Sequence, residues 1–242
     1  ADGCKYDVSS LTDVNSGGAA MSEATRKEFS ELFNCRVVQG YGMSESAGAL
    51  SGYSPEDTYR VGSVGRAFPD MELCIMDDNL QQLPPGSVGE ICARGRQVML
   101  GYLKNQEATS ATLIDGWLHS GDVGYMDSDG YIFITDRKKD LVIKGGENIS
   151  PREIEEAIYA RDEVSEVAVF GVPDPVYGEN LYAAVVRKPG HDLSTEELMA
   201  HLGKVLTKFK LPANIIWLDT LPKGSTGKIL KRALRDQYKD NA

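Results

Sequence analysis

The residues LPKGSTGKIL at 221–230 carry Lys228 on a short Gly/Ser loop. A lysine so placed can offset phosphate charge, and the pattern to test is the nucleotide loop G-x-x-x-x-G-K-[ST]. It breaks twice: Pro222 stands at its first glycine and Ile229 at its metal-binding hydroxyl. Taken alone, GSTGK predicts a turn before a helix, with Thr226 as the cap. In QGYGMSES at 39–46, Ser46 stands where a G-x-S-x-G nucleophile elbow needs its last glycine. Ser44 and Glu45 instead offer a hydroxyl for phosphate and a hard carboxylate for Mg²⁺. In WLHSGDVG, Asp122 follows a glycine in a predicted loop, and a carboxylate can accept both hydroxyls of a ribose. Gly145 and Gly146 in DRKKDLVIKGGENIS permit positive φ and close approach by a thin ligand. DSDG at 127–130 is too short for a calcium loop and predicts a hairpin turn. Four cysteines without a CxxC pair argue against zinc or iron–sulfur. The three scattered histidines predict surface or packing roles.

Elements of two kinds must hold these residues. MSEATRKEFSELF puts Ala24, Phe29, Leu32 and Phe33 on one helical face, and CRVVQG follows as a buried strand. MELCIMD alternates Met71, Leu73 and Ile75, and GEICARG and YIFIT are also strand-like. With turns at PPG (84–86) and DSDG, the middle of the chain predicts a small β barrel or sandwich. Ser150-Pro151-Arg152-Glu153 reads as a capping box with proline at the first helical position, followed by buried Ile154 and Ile158. Ser194 and Glu197 repeat the box before Leu198, Leu202, Val205 and Leu206. VAVFGV, YAAVVRK and IIWL predict strands, and a last helix is expected from near Lys228. The charged run DRKKD at 136–140 is the expected boundary between the two parts.

The chain has 242 residues, room for one large domain or two ordinary ones. Its net charge of −10 disfavours nucleic acid and anionic lipid as partners. No apolar run approaches a membrane span, and ADGCKYDVSS shows no signal-peptide pattern. Reduced cysteines point to the cytoplasm.

SGGA, QGYGMSES, GEICARG…GYL, LHSGD, DRKKDLVIKGGENISPREIE and PKGSTGKIL occur in that order. The series resembles the adenylate-forming superfamily of acyl- and aryl-CoA synthetases, luciferases and peptide-synthetase adenylation domains, along essentially the whole chain. The resemblance implies an α/β and α+β fold. Residues 1–136 would be the end of a large N-terminal domain, an α/β piece plus a β-barrel-like subdomain. Residues 137–242 would be a small, mobile α+β C-terminal domain. It implies ATP-dependent activation of a carboxylic acid as acyl-AMP, with Mg²⁺, then transfer to coenzyme A.

By the same resemblance, Gly17, Gly18, Ala19 and Ala20 border the adenine and Tyr41 stacks near it. Ser44, at a position where threonine is usual, binds phosphate, and Glu45 holds Mg²⁺. Asp122 binds the ribose with help from Arg137, Lys139 is the hinge, and Gly145 and Gly146 flank the pantetheine tunnel. Lys228 bridges the substrate carboxylate and the α-phosphate. The family's phosphate-gripping loop lies upstream of SGGA. The chain is therefore expected to be the C-terminal part of a synthetase whose N-terminal half is its missing partner, with little adenylating activity by itself. A medium- or long-chain fatty acid is the favoured substrate. An aryl-CoA ligase, a luciferase-like enzyme, an acyl-AMP ligase and a non-catalytic binding module are the alternatives. Oligomeric state is left open.

Overall fold

Contacts along the chain form two units, residues 1–134 and 135–242, in a computed structural model that describes residues 7–19, 21–225 and 227–239. Ala20 and Thr226, both named above, lie outside the described residues.

The first unit opens with a parallel pair, β1 (Asp13–Ser16) and β2 (Arg36–Gln39), in register from Asp13↔Arg36 to Ser16↔Gln39. Between them runs α1 (Glu23–Phe33). The predicted helix forms, yet none of its residues is buried. An antiparallel sheet follows, made of β3 (Tyr41–Met43), β4 (Gly48–Gly52) and β5 (Arg66–Ala67), with a 3₁₀ turn at Ser44–Ser46 joining the first two. The predicted middle strands are β6 (Met71–Met76) and β7 (Gly89–Gly95). A short α2 (Gln106–Thr112) leads to β8 (Leu113–Ile114), β9 (Trp117–Met126) and β10 (Ile132–Arg137). The strand order is β10-β9-β7-β6, with β8 on β9.

The period-2 alternation of these strands divides their two faces. Met71, Ile75, Ile91, Ala93, Leu118 and Ile132 share one core with Tyr41 and Leu50 of the smaller sheet. Cys74, Met76, Cys92 and Trp117 pack on the opposite face. Val64 N–H donates to Ile132 O, and Ile132 N–H to Gly65 O, both at 2.9 Å, stitching the residues before β5 to β10. DSDG is the β9–β10 turn: Asp127 Oδ1 accepts from the backbone N–H of Asp129 and of Tyr131. Arg60 pairs with both Asp127 and Asp129. The guanidinium thus occupies oxygens of both carboxylates that a calcium loop would turn to its ion.

The second unit is one sheet between helices. Its elements are β11 (Val142–Lys144), β12 (Glu147–Ile149), α3 (Pro151–Tyr159), β13 (Val164–Asp174) and β14 (Gly178–Arg187). α4 (Thr195–Val205), β15 (Asn214–Trp217) and α5 (Lys231–Tyr238) complete it. The order is β12-β11-β14-β13, and β15 runs parallel to β14. Val167, Val169, Leu181, Ala183 and Val185 face Ile154, Ile158, Leu198 and Leu202 of α3 and α4. Ala168, Phe170, Val172 and Ala184 face Leu234 of α5.

Three expectations are corrected here. Ser150 is the residue before α3, but its side chain makes no capping bond. Its Oγ lies 3.0 Å from Thr135 O and 2.8 Å from Asp136 Oδ2, and Asp136 Oδ2 itself accepts the Arg152 N–H at 3.0 Å. A full carboxylate is the better acceptor at a helix N-terminus, because it also meets the positive end of the helix dipole. Val205, at the end of α4, is 58% exposed rather than part of the core. The last helix begins at Lys231 after Leu230, so Lys228 does not stand at its start, and the expected cap, Thr226, lies outside the described residues. The box at Ser194 and Glu197 is present in both directions. No helix among the described residues is long and apolar enough to cross a membrane.

Candidate active site

The first unit carries an open cleft of about 440 Å³, lined by Gly17, Gly18, Tyr41, Met43 and Ser44 together with Gly48 and Ala49. The cleft exists because β1 and β2 end side by side and the chain turns directly into β3. Gly42 is required there: a Cβ would sit 2.0 Å from Gly48 O and 2.6 Å from Ala49 Cα, so any side chain would push β3 off β4. The structure therefore gathers the glycines, the tyrosine and the serine singled out from sequence. Ala19 follows them on exposed surface.

Ser44 is exposed at the start of the 3₁₀ turn and Glu45 is half-buried beside it. Two contacts hold Glu45. Its Oε1 accepts the Tyr102 hydroxyl at 2.8 Å, and its carbonyl accepts the Met99 N–H at 2.7 Å. The carboxylate acceptor, with burial second, raises the pKa of Tyr102. Ser46, which spoils the elbow pattern, has a structural role: it is fully buried and its hydroxyl reaches Gly48 O at 2.8 Å.

Asp122 is 2% exposed, and its Oδ2 accepts the Tyr41 hydroxyl at 2.6 Å. The predicted loop around it is instead a bulge inside β9. Glu90 pairs with Val123 and Cys92 with His119, so two steps along β7 face four along β9. Gly121 takes φ +73° at that bulge, which costs a glycine little. The bulge is held on both sides. Ser120 Oγ donates to Ile91 O at 2.6 Å and accepts the Asp122 N–H at 3.0 Å. Glu90 Oε1 accepts the Gly121 N–H at 2.9 Å, while Glu90 Oε2 lies 3.1 Å from His119 Nδ1. Cys92 Sγ lies 3.5 Å from the same nitrogen. Their ligand atoms all fall within 4.8 Å of one another, a grouping absent from the sequence expectations. One cue was available: Glu90 and Cys92 are two apart in β7 and so share a face.

In the second unit, Arg137 ends β10 with an exposed side chain, its N–H donating to Asp136 Oδ1 at 2.8 Å. Lys139 lies exposed in a 3₁₀ turn, Lys138–Asp140. Gly145 and Gly146 form the two-residue turn from β11 to β12 with φ +57° and +86°, the pattern of a type I′ hairpin. A Cβ on Gly145 would stand 3.3 Å from Phe209 Cζ. Next to this turn is a residue the sequence did not flag. Lys144 is buried, its Nζ donates to Phe209 O at 3.1 Å, and burial lowers its pKa.

Lys228 is exposed on a hairpin. Gly224 N–H donates to Lys228 O at 2.9 Å, Gly227 N–H to Gly224 O at 3.0 Å, and Leu230 N–H to Pro222 O at 2.8 Å. Lys223 and Ile229 pair across it. A phosphate-cradling loop presents its amides outward, whereas those of Gly224 and Gly227 are used within the hairpin. What the loop displays is the lysine side chain.

The AMP-binding enzyme family matches residues 2–103, and the AMP-binding enzyme C-terminal domain matches 153–228. A long-chain-fatty-acid–CoA ligase of Bacillus subtilis (strain 168) is 40% identical over 98% of this chain and 42% of its own length. The fatty acid–[acyl-carrier-protein] ligase ScoC of Streptomyces coeruleorubidus is 38% identical over 96% of this chain and 46% of its length. Among solved structures, ATP-bound MatB from Rhodopseudomonas palustris superposes with a TM-score of 0.89 at 36% identity, covering 94% of this chain and 45% of that one. The chain thus spans less than half the length of these relatives.

Proposed function

This chain belongs to the AMP-binding, adenylate-forming enzymes, and from that premise we propose that it is the C-terminal part of a longer ATP-dependent acyl-CoA synthetase acting on a medium- or long-chain fatty acid. The carrying observation is the cleft that gathers Gly17, Gly18, Tyr41 and Ser44, with Asp122 bonded to Tyr41. In the first half-reaction a carboxylate oxygen bonds to the α-phosphorus of ATP and pyrophosphate leaves. In the second, the CoA sulfur bonds to the acyl carbon, the thiol gives up its proton and AMP departs. Both steps gather negative charge, so positioning and charge neutralisation dominate catalysis.

Gly17, Gly18 and Tyr41 would receive the adenine, and the exposed Ser44 hydroxyl would donate to a phosphate oxygen. Asp122, oriented by Tyr41, would accept the ribose hydroxyls, with Arg137 assisting. Glu45 and Ser44 are hard oxygen donors of the kind Mg²⁺ takes, and Tyr102 holds the Glu45 carboxylate in place. When bound, that ion would neutralise phosphate charge. Lys228 would face the substrate carboxylate and the α-phosphate together. The small C-terminal domain expected over residues 137–242, which carries it, would turn about Lys139 between the half-reactions, bringing the Gly145–Gly146 turn to the pantetheine for the second. Cys35, Cys74 and Cys92 are buried thiols outside any disulfide among the described residues, which supports a cytoplasmic setting.

The test is pyrophosphate exchange and thioester formation in the full-length protein. Lys228→Ala should lower adenylation by about 10²–10³, as loss of a transition-state charge contact does. It should spare thioester formation from supplied acyl-AMP. Equal loss of both steps would sink the assignment. Product analysis with CoA and with an acyl-carrier protein identifies the acceptor.

A further inference from the structure

Glu90, Cys92 and His119 form a buried titratable group that the proposed chemistry leaves unused. Glu90 is 8% exposed, and burying a carboxylate is costly unless its oxygens are partnered. Here each oxygen has a partner, and the partners bracket the bulge of β9. His119 stands at its start and Gly121 at its left-handed turn. Asp122 is the next residue. A bulge is a place where strand register can slip, and a slip of one residue turns a side chain to the opposite face of the sheet. The Asp122 carboxylate therefore meets Tyr41 only while the bulge keeps this register.

We propose that Glu90 is a positioning residue that locks the β9 bulge, through Gly121 N–H and His119, so that Asp122 presents its carboxylate to the ribose of the nucleotide. Ser120 works from the other side of the same bulge, receiving the Asp122 N–H while bonded to Ile91 O. The inference rests on the assignment of Asp122 to the ribose. The carboxylate, thiol and imidazole would also suit a soft divalent cation, but the clamp needs only the hydrogen bonds that the group makes.

The experiment compares ATP with 2′-deoxyATP in pyrophosphate exchange by the full-length protein. A ribose-binding carboxylate makes the wild type prefer ATP. Glu90→Gln and Ser120→Ala should each cut that preference by about tenfold, the size of one charged hydrogen bond. The change should fall mainly on the KM for ATP and not on kcat. Ser120→Thr, which keeps the hydroxyl, should retain the preference. A zinc-selective chelator should leave it unchanged, and erosion of the preference by the chelator would overturn the hydrogen-bonded clamp. A lowered Tm with the preference intact in both variants would show a merely structural role and overturn the proposal. Should Glu90→Gln fail to fold, Ser120→Ala reads the same register. A wild type without preference for ATP would instead overturn the ribose assignment of Asp122, a separate failure.

Discussion

Helices α1 and α3 carry comparable sequence signals and reach opposite ends. α1 is held largely by neighbours in sequence, although the Tyr59 hydroxyl also donates to Glu23 Oε2 at 3.0 Å and Arg26 lies over the Tyr59 ring. Ser22 Oγ accepts the Thr25 N–H, Glu23 pairs with Arg26 at 2.7 Å, and Asn34 closes the C-terminus in the left-handed conformation with its N–H on Ser30 O. The Phe29 and Phe33 rings lie 4.5 Å apart along its side, tilted by 35° to each other. None of its residues is buried, and Leu32 is 63% exposed. α3 is held from afar. Pro151, Ile154 and Ile158 are buried, Asp136 caps it, Lys231 pairs with Glu155 at 2.8 Å, and His201 Nε2 meets Ala157 O at 3.0 Å. The difference shows that local signals suffice to write a helix, while covering its apolar face needs another layer. The second unit supplies that layer for α3. For α1 the described residues cover Phe29 and Phe33 only in part and leave Ala24 and Leu32 exposed, a side that the longer protein proposed above would cover.

The largest effect expected from this contrast lies in the second unit. Ile154→Ala removes a fully buried side chain from between α3 and the sheet. It should destabilise that unit by about 2–5 kcal/mol, as truncation in a packed core does. Denaturant unfolding of the chain measures it. A shift below about 1 kcal/mol would mean that α3 is no better anchored than α1.

A smaller effect separates the two ways of capping. Asp136→Ala leaves the Arg152 N–H and the Ser150 hydroxyl without the carboxylate they share, and should cost about 1.5–3 kcal/mol. Ser150→Ala should cost about 1 kcal/mol or less, since Ser150 caps nothing. The reverse order would restore the local capping box that the sequence suggests.

That pair marks where sequence reading works in this protein and where it stops. Ser194 and Glu197 were legible because donor and acceptor lie three residues apart. Met71 and Ile75 were legible because alternation alone assigns their face. Asp136 was not, because its partner lies sixteen residues further on and reaches it only once β10 and α3 are placed. The bulge at Asp122 was hidden for a similar reason: HSGD reads as a loop until β7 is set beside it. Lys144 was hidden too, since nothing local says that Phe209 will arrive to accept its ammonium. The cleft residues were found by the order of their motifs along the chain. Gly42 shows why one of them is fixed, through a close approach of two strands that no spacing rule reveals.

The smallest effect tests the uncovered side of α1. Leu32→Ser in this chain alone should change stability by no more than about 0.5 kcal/mol, because the side chain already meets solvent. In the full-length protein the same substitution should cost about 1.5–3 kcal/mol, the value of burying a leucine. Parallel unfolding of the two proteins measures the difference. Its absence would mean that the apolar side of α1 stays open in the whole protein. The contrast between α1 and α3 would then belong to the helices themselves and not to the layer each one lacks or finds.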